Sequence, residues 1–319
     1  MLKNHSILLT LADGAWHLLE NLESRLGCDQ STLLAMLSQL RSDGLTLEWA
    51  DDRRLRWLNP SIPLYASDIR NGLSAEVRGL MNDLELHYEL ESTNQYLRSS
   101  GFTHGDVCLA EKQLAGRGRR GRHWHSPLCR NIYMSLGWRF EATPTELLGL
   151  SLGVGIKLAE ALRPYAAVGL KWPNDLYIND HKLGGILVEL QSLPEGGAGA
   201  IVGVGLNVNM DNGNEGIDQA WTSLHQHRER QRNIERNKLV SQLLEGLLPF
   251  LDGFLEQGND YIQRRWPEFD LAYQRAVTVF SAGEELTGKG AGIDDQFQFL
   301  LQHSQGVSRF SSAEVSLRL

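Results

Sequence analysis

Cysteine is scarce in this chain. Cys28, Cys108 and Cys129 are odd in number and lack paired spacing, which argues against a disulfide framework or a zinc cluster and suits a reducing cytoplasm. Long apolar runs are missing too: no stretch reaches about 18 uninterrupted apolar residues, so no membrane span is expected. The N-terminal MLKNHSILLTLADGAWHLLE contains Asp13 and Glu20 and no small-residue cleavage site, so it does not read as a signal peptide. Positive charge is not in excess: 31 Lys and Arg against 39 Asp and Glu give −8. Broad attraction to nucleic acid is therefore not expected, and any basic cluster has to act locally. Internal repeats and low-complexity tracts are absent as well. What remains is 319 residues, 42% of them hydrophobic, material for two or three globular domains around a sizeable core.

Residues 1–60 read as a small helical unit. SILLTLADG, LLENLESRLG and STLLAMLSQLRSDG carry apolar residues at helical spacing, and the last two end at Gly27 and Gly44, suited to C-caps. LTLEWADDRRLRWL then gives two short strands about a turn at Asp51–Asp52, and three helices with a ribbon make a winged helix-turn-helix pattern. NPSIPLYASD, with Pro60 and Pro63, reads as a linker. From there GDVCLAEK, NIYMSLGWRF, VGLKWPNDLYI, GGILVELQS and AIVGVGLNVNM are strand-like. STNQYLRSSG, LGLSLGVGIKLAEALRPY and NKLVSQLLEGLLPFLDGFLEQG are helical. Several strands follow one another without a helix, which favours an α+β layer over a regular βαβ series. The last fifty residues offer five short strands with turn signals, a small β-barrel pattern.

The stretch AEKQLAGRGRRGRHWHSP, residues 110–127, holds Gly116, Gly118 and Gly121 in G-x-G-x-x-G spacing. A dinucleotide fingerprint needs a helix opening on the third glycine, and RHWHSPL with Pro127 opens none. The alternation of glycine with Arg117, Arg119, Arg120 and Arg122 points to another use. Glycine lets the backbone move and approach a ligand, and each guanidinium can fork onto a carboxylate or phosphate. Such a loop is expected to lack fixed structure until it folds over a small anion. A second letter match, GEELTGKG at 283–290, puts Gly290 where a phosphate-binding loop needs Ser or Thr and has strand-like runs on both sides. It reads as hairpin turns. In KWPNDLYINDHKLGGILVEL two readings stand. One is an ordinary surface hairpin; the other gathers Lys171, Asp175 and Lys182 around one cleft facing a phosphate. Ser92 or Thr93 suits the N-cap of the helix that follows.

STNQYL, AEKQLAGRGRRGRHWHSP, RNIYMSL, KWPNDLYINDHKLGGILVE and GVGLNVN stand in the order and spacing of the biotin protein ligases. With its N-terminal unit the chain resembles the bacterial bifunctional biotin ligase and biotin operon repressors throughout, most closely over 90–210. The resemblance implies an α+β fold in three domains. These are a winged helix-turn-helix (1–65), a mixed-sheet catalytic domain of the biotin/lipoate ligase type (66–268) and a small SH3-like β-barrel (269–319). It implies a cytoplasmic enzyme that joins biotin to ATP, with Mg2+, as biotinyl-5′-AMP. Biotin then passes to a lysine of the biotin carboxyl carrier protein of acetyl-CoA carboxylase. Family members that repress also form a homodimer and bind operator DNA.

Carried over by motif, Ser92, Thr93, Asn94, Gln113, Arg117, Gly118, Arg119, Lys182, Gly185 and Gly203 hold biotin. Arg120, Arg122, Asn131, Lys171, Asn174, Asn207, Trp221 and Arg318 hold the nucleotide, Trp221 by stacking on adenine. Lys182, Arg119 and Asp175 are the catalytic candidates, and no residue set shows metal-ligand spacing. Two alternatives carry other expectations. A lipoate or octanoate transferase is disfavoured by GRGRRGR together with the N-terminal unit, and a ligand-sensing DNA-binding regulator would need no Lys182. The pattern breaks in the N-terminal unit. Family repressors carry Ser-Arg where the recognition helix begins; here CDQSTLLAMLSQL places Asp29 and Gln30 there, then Leu34, Ala35 and Met36. An acid repels phosphates, and these apolar side chains cannot fork onto a base edge. Residues 1–60 hold six cations against eight anions, and only the wing DDRRLRW is basic, so the fold is expected while DNA binding is either lost or re-aimed to another site.

Overall fold

Apolar spacing near the N-terminus produces α1 (Leu2–Leu11), β1 (His17–Leu18), α2 (Leu19–Leu26) and α3 (Gln30–Ser42), followed by the ribbon β2 (Leu47–Trp49) and β3 (Arg54–Trp57). The computed structural model describes residues 2–211, 217–228, 233–281, 284–311 and 315–318, the first three and last four of these as backbone only. Gly27 closes α2 in the left-handed region at φ 58°. Asp29 caps α3 by accepting from Thr32 N at 2.8 Å. Asp43 is the residue at the end of α3, and Gly44 just beyond it takes φ 96°. β1 joins the ribbon in the order β1-β3-β2. Ile7, Leu8, Leu22, Leu33, Leu37 and Leu55 fill the interior of this unit, in a cluster that also takes in Tyr88, Leu128 and Cys129 from the next region.

That region begins with α4 (Ala66–Asn71), α5 (Ala75–Gly79), β4 (Leu84–Leu90), α6 (Thr93–Ser100), β5 (Asp106–Gln113) and β6 (Ile132–Phe140). It continues through α7 (Leu150–Leu162), β7 (Gly169–Lys171), β8 (Asp175–Ile178), β9 (His181–Ser192), β10 (Ala198–Leu206), α8 (Arg236–Asp252) and α9 (Asn259–Arg265). Its seven strands lie in the order β4-β5-β6-β10-β9-β8-β7, and β4 with β5 is the one parallel pair in this sheet. The strand-after-strand pattern in the sequence therefore leads to a mixed sheet with helices on its faces. Alternation sorts the faces. Ala200, Val202 and Val204 of β10 join α7 and α8 in the main core, while Ile201 packs with Leu97, Phe102 and Cys108 under α6. α7 and α8 approach closely because Gly153 has no side chain: a Cβ there would lie 2.2 Å from Phe250 Cζ.

The C-terminal strands β11 (Ala276–Ser281), β12 (Glu284–Ile293), β13 (Phe299–His303), β14 (Gly306–Phe310) and β15 (Val315–Arg318) form an antiparallel sheet in the order β14-β13-β12-β11-β15. Val277, Val279, Phe299 and Leu301 belong to the main core. Trp172 Nε1 donates to Phe297 O at 3.2 Å, so this sheet buttresses the turn between β7 and β8. Five elements were not legible in advance, β1, α4, α5, β4 and α9. The helix expected over 237–258 also ends at Gly253 and continues as a π-helical turn, Phe254–Gly258. The three cysteines are free. Among the described residues no helix is long and apolar enough to cross a membrane.

Candidate active site

A cleft opens on the α6 side of the sheet, and glycine makes its floor. On β10 the positions facing α6 are Gly199, Ile201, Gly203 and Gly205. A Cβ at Gly203 would lie 2.2 Å from Asn94 Oδ1, and one at Gly205 would lie 2.6 Å from the Trp124 ring. Ser92 opens α6 but makes no side-chain capping bond; it is buried and lines the cleft beside Thr93 and Asn94. Gln113, at the end of β5, accepts from Thr93 N at 2.9 Å and donates to Ser126 Oγ at 3.2 Å. Asn94 donates to Glu189 Oε2 at 2.8 Å and to Leu187 O at 3.2 Å. Beneath them Ser135, on β6 directly across from Gly203, lies 2.7 Å from Thr93 Oγ1 and 2.6 Å from Asn94 Oδ1. The wall is thus a largely buried polar network that fixes its amide orientations.

The arginine stretch is a hairpin rather than an open loop. Trp124 N donates to Gly116 O at 2.8 Å and Gly118 N to Arg122 O at 2.7 Å, closing the arms, with Arg117 bridged to His123. Arg120 and Gly121 turn its tip at φ 58° and 71°. Gly116 is required because a Cβ would lie 2.6 Å from Trp124 O. Arg117 donates to Gln95 Oε1 at 2.9 Å and Arg119 to Asn174 Oδ1 at 3.2 Å. Burial, and then the adjacent Arg120 cation, lower the Arg119 pKa against the pull of Asp175. Positive charge is therefore concentrated above the cleft in a form that an anion would relieve.

Opposite the hairpin stands a ledge built by β7, β8 and β9. Lys182 Nζ lies 2.8 Å from Asp175 Oδ1, the two side chains being 12% and 20% exposed, and it sits over the Trp124 ring at 5.6 Å. Asn174 Nδ2 donates to Ile186 O at 2.8 Å, which fixes the turn. Lys171 Nζ lies 3.5 Å from the Tyr177 hydroxyl and 5.2 Å from its ring. Two cations and a carboxylate share one wall, the cleft reading of this stretch rather than the surface-hairpin one.

The structure brings Ser92, Thr93, Asn94, Gln113, Arg117, Gly118, Arg119, Arg120, Arg122, Lys171, Asn174, Asp175, Lys182, Gly185 and Gly203 to this cleft. Asn131 and Asn207 lie behind it as a buried pair: Asn131 Nδ2 is 3.3 Å from Asn207 Oδ1, its own Oδ1 accepts from Val208 N, and Asn207 donates to Thr222 O. Trp221 flanks Lys182 through the backbone, Lys182 N donating to Ala220 O and Thr222 N to Lys182 O. Arg318 ends β15, and its side chain lies outside the described residues. Trp124, Ser135 and Tyr177 were missed; Trp124 stands between two histidines with no periodic pattern to mark it.

The family model "Biotin/lipoate A/B protein ligase family" matches residues 86–209, the stretch carrying this cleft. The chain is 36% identical to "Bifunctional ligase/repressor BirA" of Salmonella typhimurium, covering 98% of this chain and 97% of that one. It is also 36% identical to the Escherichia coli protein of the same name, over 98% and 96%. Among solved structures, the biotin protein ligase of Aquifex aeolicus in complex with biotin and ATP superposes with a TM-score of 0.65 at 28% identity, over 75% of this chain and 99% of that one.

Proposed function

The chain belongs to the bifunctional biotin ligase/repressor family, and from that premise we propose that the cleft joins biotin to ATP and hands the biotinyl group to a lysine of the biotin carboxyl carrier protein of acetyl-CoA carboxylase. The observation that carries this reading is the Lys182–Asp175 pair set beneath an arginine hairpin. In the first step a biotin carboxylate oxygen attacks the α-phosphorus of ATP, the bond to pyrophosphate breaks, and biotinyl-5′-AMP remains. Two anions have to meet. Lys182 and Arg119 offset that repulsion and stabilise the charge that builds on the transferred phosphoryl group.

Ser92, Thr93, Asn94 and Gln113 offer the donors and acceptors a ureido ring requires, with Gly118, Gly185 and Gly203 leaving room and Arg117 near the carboxylate. Arg120, Arg122, Lys171 and Asn174 face the phosphates, Trp221 stacks on adenine, and Arg318 is assigned to the nucleotide by its place in the C-terminal SLRL motif. Asn131 and Asn207 serve the nucleotide by holding the backbone around Val208 and Thr222. Mg2+ arriving with ATP would supply charge neutralisation on the phosphates. A Mg2+ ion that keeps waters and takes phosphate oxygens would need few protein ligands.

In the second step the neutral amine of the acceptor lysine attacks the biotinyl carbonyl carbon, the bond to the AMP oxygen breaks, and AMP leaves. Asp175 takes the amine proton and Lys182 stabilises the departing phosphate. The hairpin acts as a lid that keeps water from the anhydride.

The chain divides on this reading into a winged helix-turn-helix (1–65), the catalytic domain (66–268) and an SH3-like barrel (269–319). α3 occupies the recognition position with Arg41 as its one cation. The basic element offered to an operator by a homodimer is then the β2–β3 ribbon. The decisive experiment incubates the protein with biotin, ATP, Mg2+ and a carrier domain and weighs the carrier. A gain of one biotinyl group is expected, and an unchanged carrier mass would reject the ligase reading.

A further inference from the structure

Behind the cleft wall the donors can be counted, and the count leaves one arrangement of protons. Asn94 Nδ2 sends its two N–H groups to Glu189 Oε2 at 2.8 Å and to Leu187 O at 3.2 Å. A carbonyl, and a carboxylate whose other oxygen accepts from Arg98 Nη2, only accept. The Asn94 amide is therefore not reversible, and its Oδ1 must accept in turn. Ser135 Oγ lies 2.6 Å from it and spends its single proton there. Thr93 Oγ1 lies 2.7 Å from the same Ser135 oxygen, a contact that needs a proton between the two. Only Thr93 has one to give. Gln113 Oε1 is farther from that hydroxyl, at 3.3 Å, and already takes the Thr93 N–H at 2.9 Å. Gln113 is fixed in its own way: Ser126 donates to Trp124 O at 3.0 Å and so accepts from Gln113 Nε2 at 3.2 Å. Protons thus run from Thr93 to Ser135 to Asn94 to Glu189. Ser135 is fully buried and Thr93 and Asn94 nearly so.

We infer that Glu189 is a positioning residue for ligand selection: through Asn94 and Ser135 it draws the Thr93 hydroxyl proton inward, so Thr93 meets the cleft as an acceptor and selects a ligand that brings an N–H to that point. The inference rests on the ligase reading above and sharpens it, since a ureido ring carries an N–H on each side of its carbonyl. A ring with oxygen in place of that N–H sets lone pair against lone pair, and the wall has no hydroxyl proton left to turn towards it. Glu189 is not among the residues lining the cleft and acts two side chains away from Thr93. An amide in its place, Glu189→Gln, removes the direction. Arg98 takes the amide oxygen, the new N–H groups turn to Asn94, and Asn94 reverses at the expense of its bond to Leu187 O. Ser135 then accepts from Asn94 and donates to Thr93, which releases the Thr93 proton to the cleft.

The test uses the full-length chain with ATP and Mg2+ and follows adenylate formation on three substrates. These are biotin and the two cyclic carbamates in which one or the other ureido N–H is replaced by oxygen. Wild type is expected to prefer biotin over each carbamate by about a hundredfold or more in kcat/KM. In Glu189→Gln the preference against one of the two carbamates should shrink about tenfold or more while the other holds, with the KM for biotin raised and kcat little changed. Arg98→Met loosens the same corner but leaves Asn94 its acceptor, so both preferences should hold there. Ser135→Ala cuts the string in the middle and frees the Thr93 proton. It should reproduce the selective loss, and it decides the matter if Glu189→Gln does not fold. Wild-type preferences in a folded Glu189→Gln chain, or equal losses on all three substrates, would overturn the proton order and leave the ligase reading standing. A wild-type chain that makes no biotinyl-5′-AMP overturns the ligase reading itself and this inference with it.

Discussion

Two arginine-rich ribbons in this chain hold their charge in opposite ways. In the N-terminal ribbon Arg54 lies 2.6 Å from Asp52, Arg56 2.6 Å from Glu48 and Arg53 3.5 Å from Glu20, and Arg56 stacks on Trp16 at 4.7 Å. In the hairpin over the cleft, Arg117 and Arg119 donate to the neutral amides of Gln95 and Asn174, and Arg119 is crowded by Arg120 and Arg122, with the Asp175 carboxylate across the cleft pulling the other way. A cation beside its own carboxylate offers a ligand little potential. Cations crowded together and served by amides make a field that an arriving anion relieves. The distinction is already written locally: DDRRLRW carries its acids with its arginines, whereas residues 112–123 contain none.

The most severe way to sharpen this contrast is Lys182→Ala. Adenylate formation, followed as pyrophosphate release, is expected to fall by about 10²–10³, while Arg54→Ala leaves it unchanged. Equal losses in the two variants would erase the difference between the regions. Asp175→Asn comes next: transfer from preformed adenylate to the carrier should fall about a hundredfold. Undiminished transfer would remove Asp175 from the proton path. Arg119→Gly costs a charge-assisted contact of about 1.5–3 kcal/mol, which corresponds to escape of adenylate about ten to a hundred times faster. Biotin should then appear on bystander lysines, detected by mass mapping of an added inert protein. Retention equal to wild type would mean that the hairpin charge does not hold the intermediate.

How much of this could be read in advance depends on the range of the interaction. The hairpin glycines, the β7–β8 turn and the glycine floor of β10 are local patterns, and alternation of side chains carries them straight to the cleft. Asn131 and Asn207 show the limit: the same side chain can bind a ligand or another asparagine, and their mutual contact spans residues far apart in sequence. Ser135 sits inside an apolar run of β6 and gains its role from facing Gly203 across the sheet. Lys112 looked like any strand lysine because its partner, Asp43, is supplied by another folding unit. β4 went unseen because LELHYEL mixes charge into a strand buried in an uneven pattern. The expectation of an unstructured arginine loop failed because cross-arm backbone bonds, which composition does not reveal, close it into a hairpin.

The smallest expected effect comes from making the N-terminal ribbon resemble the hairpin. Glu48→Gln and Asp52→Asn together leave Arg56 and Arg54 beside neutral amides while altering no apolar contact. The wild-type chain should bind a mixed-sequence duplex weakly, since residues 1–60 have fewer cations than anions. In the double variant each released arginine can neutralise one phosphate, so the slope of log affinity against log salt should steepen by about 0.9 per arginine. Ligase activity should not move, because neither residue touches the cleft. The measurement is a salt series of duplex titrations with biotin and ATP present. An unchanged slope would mean that these acids are not what restrains the ribbon, and pairing would then no longer explain why two basic stretches of one chain behave so differently.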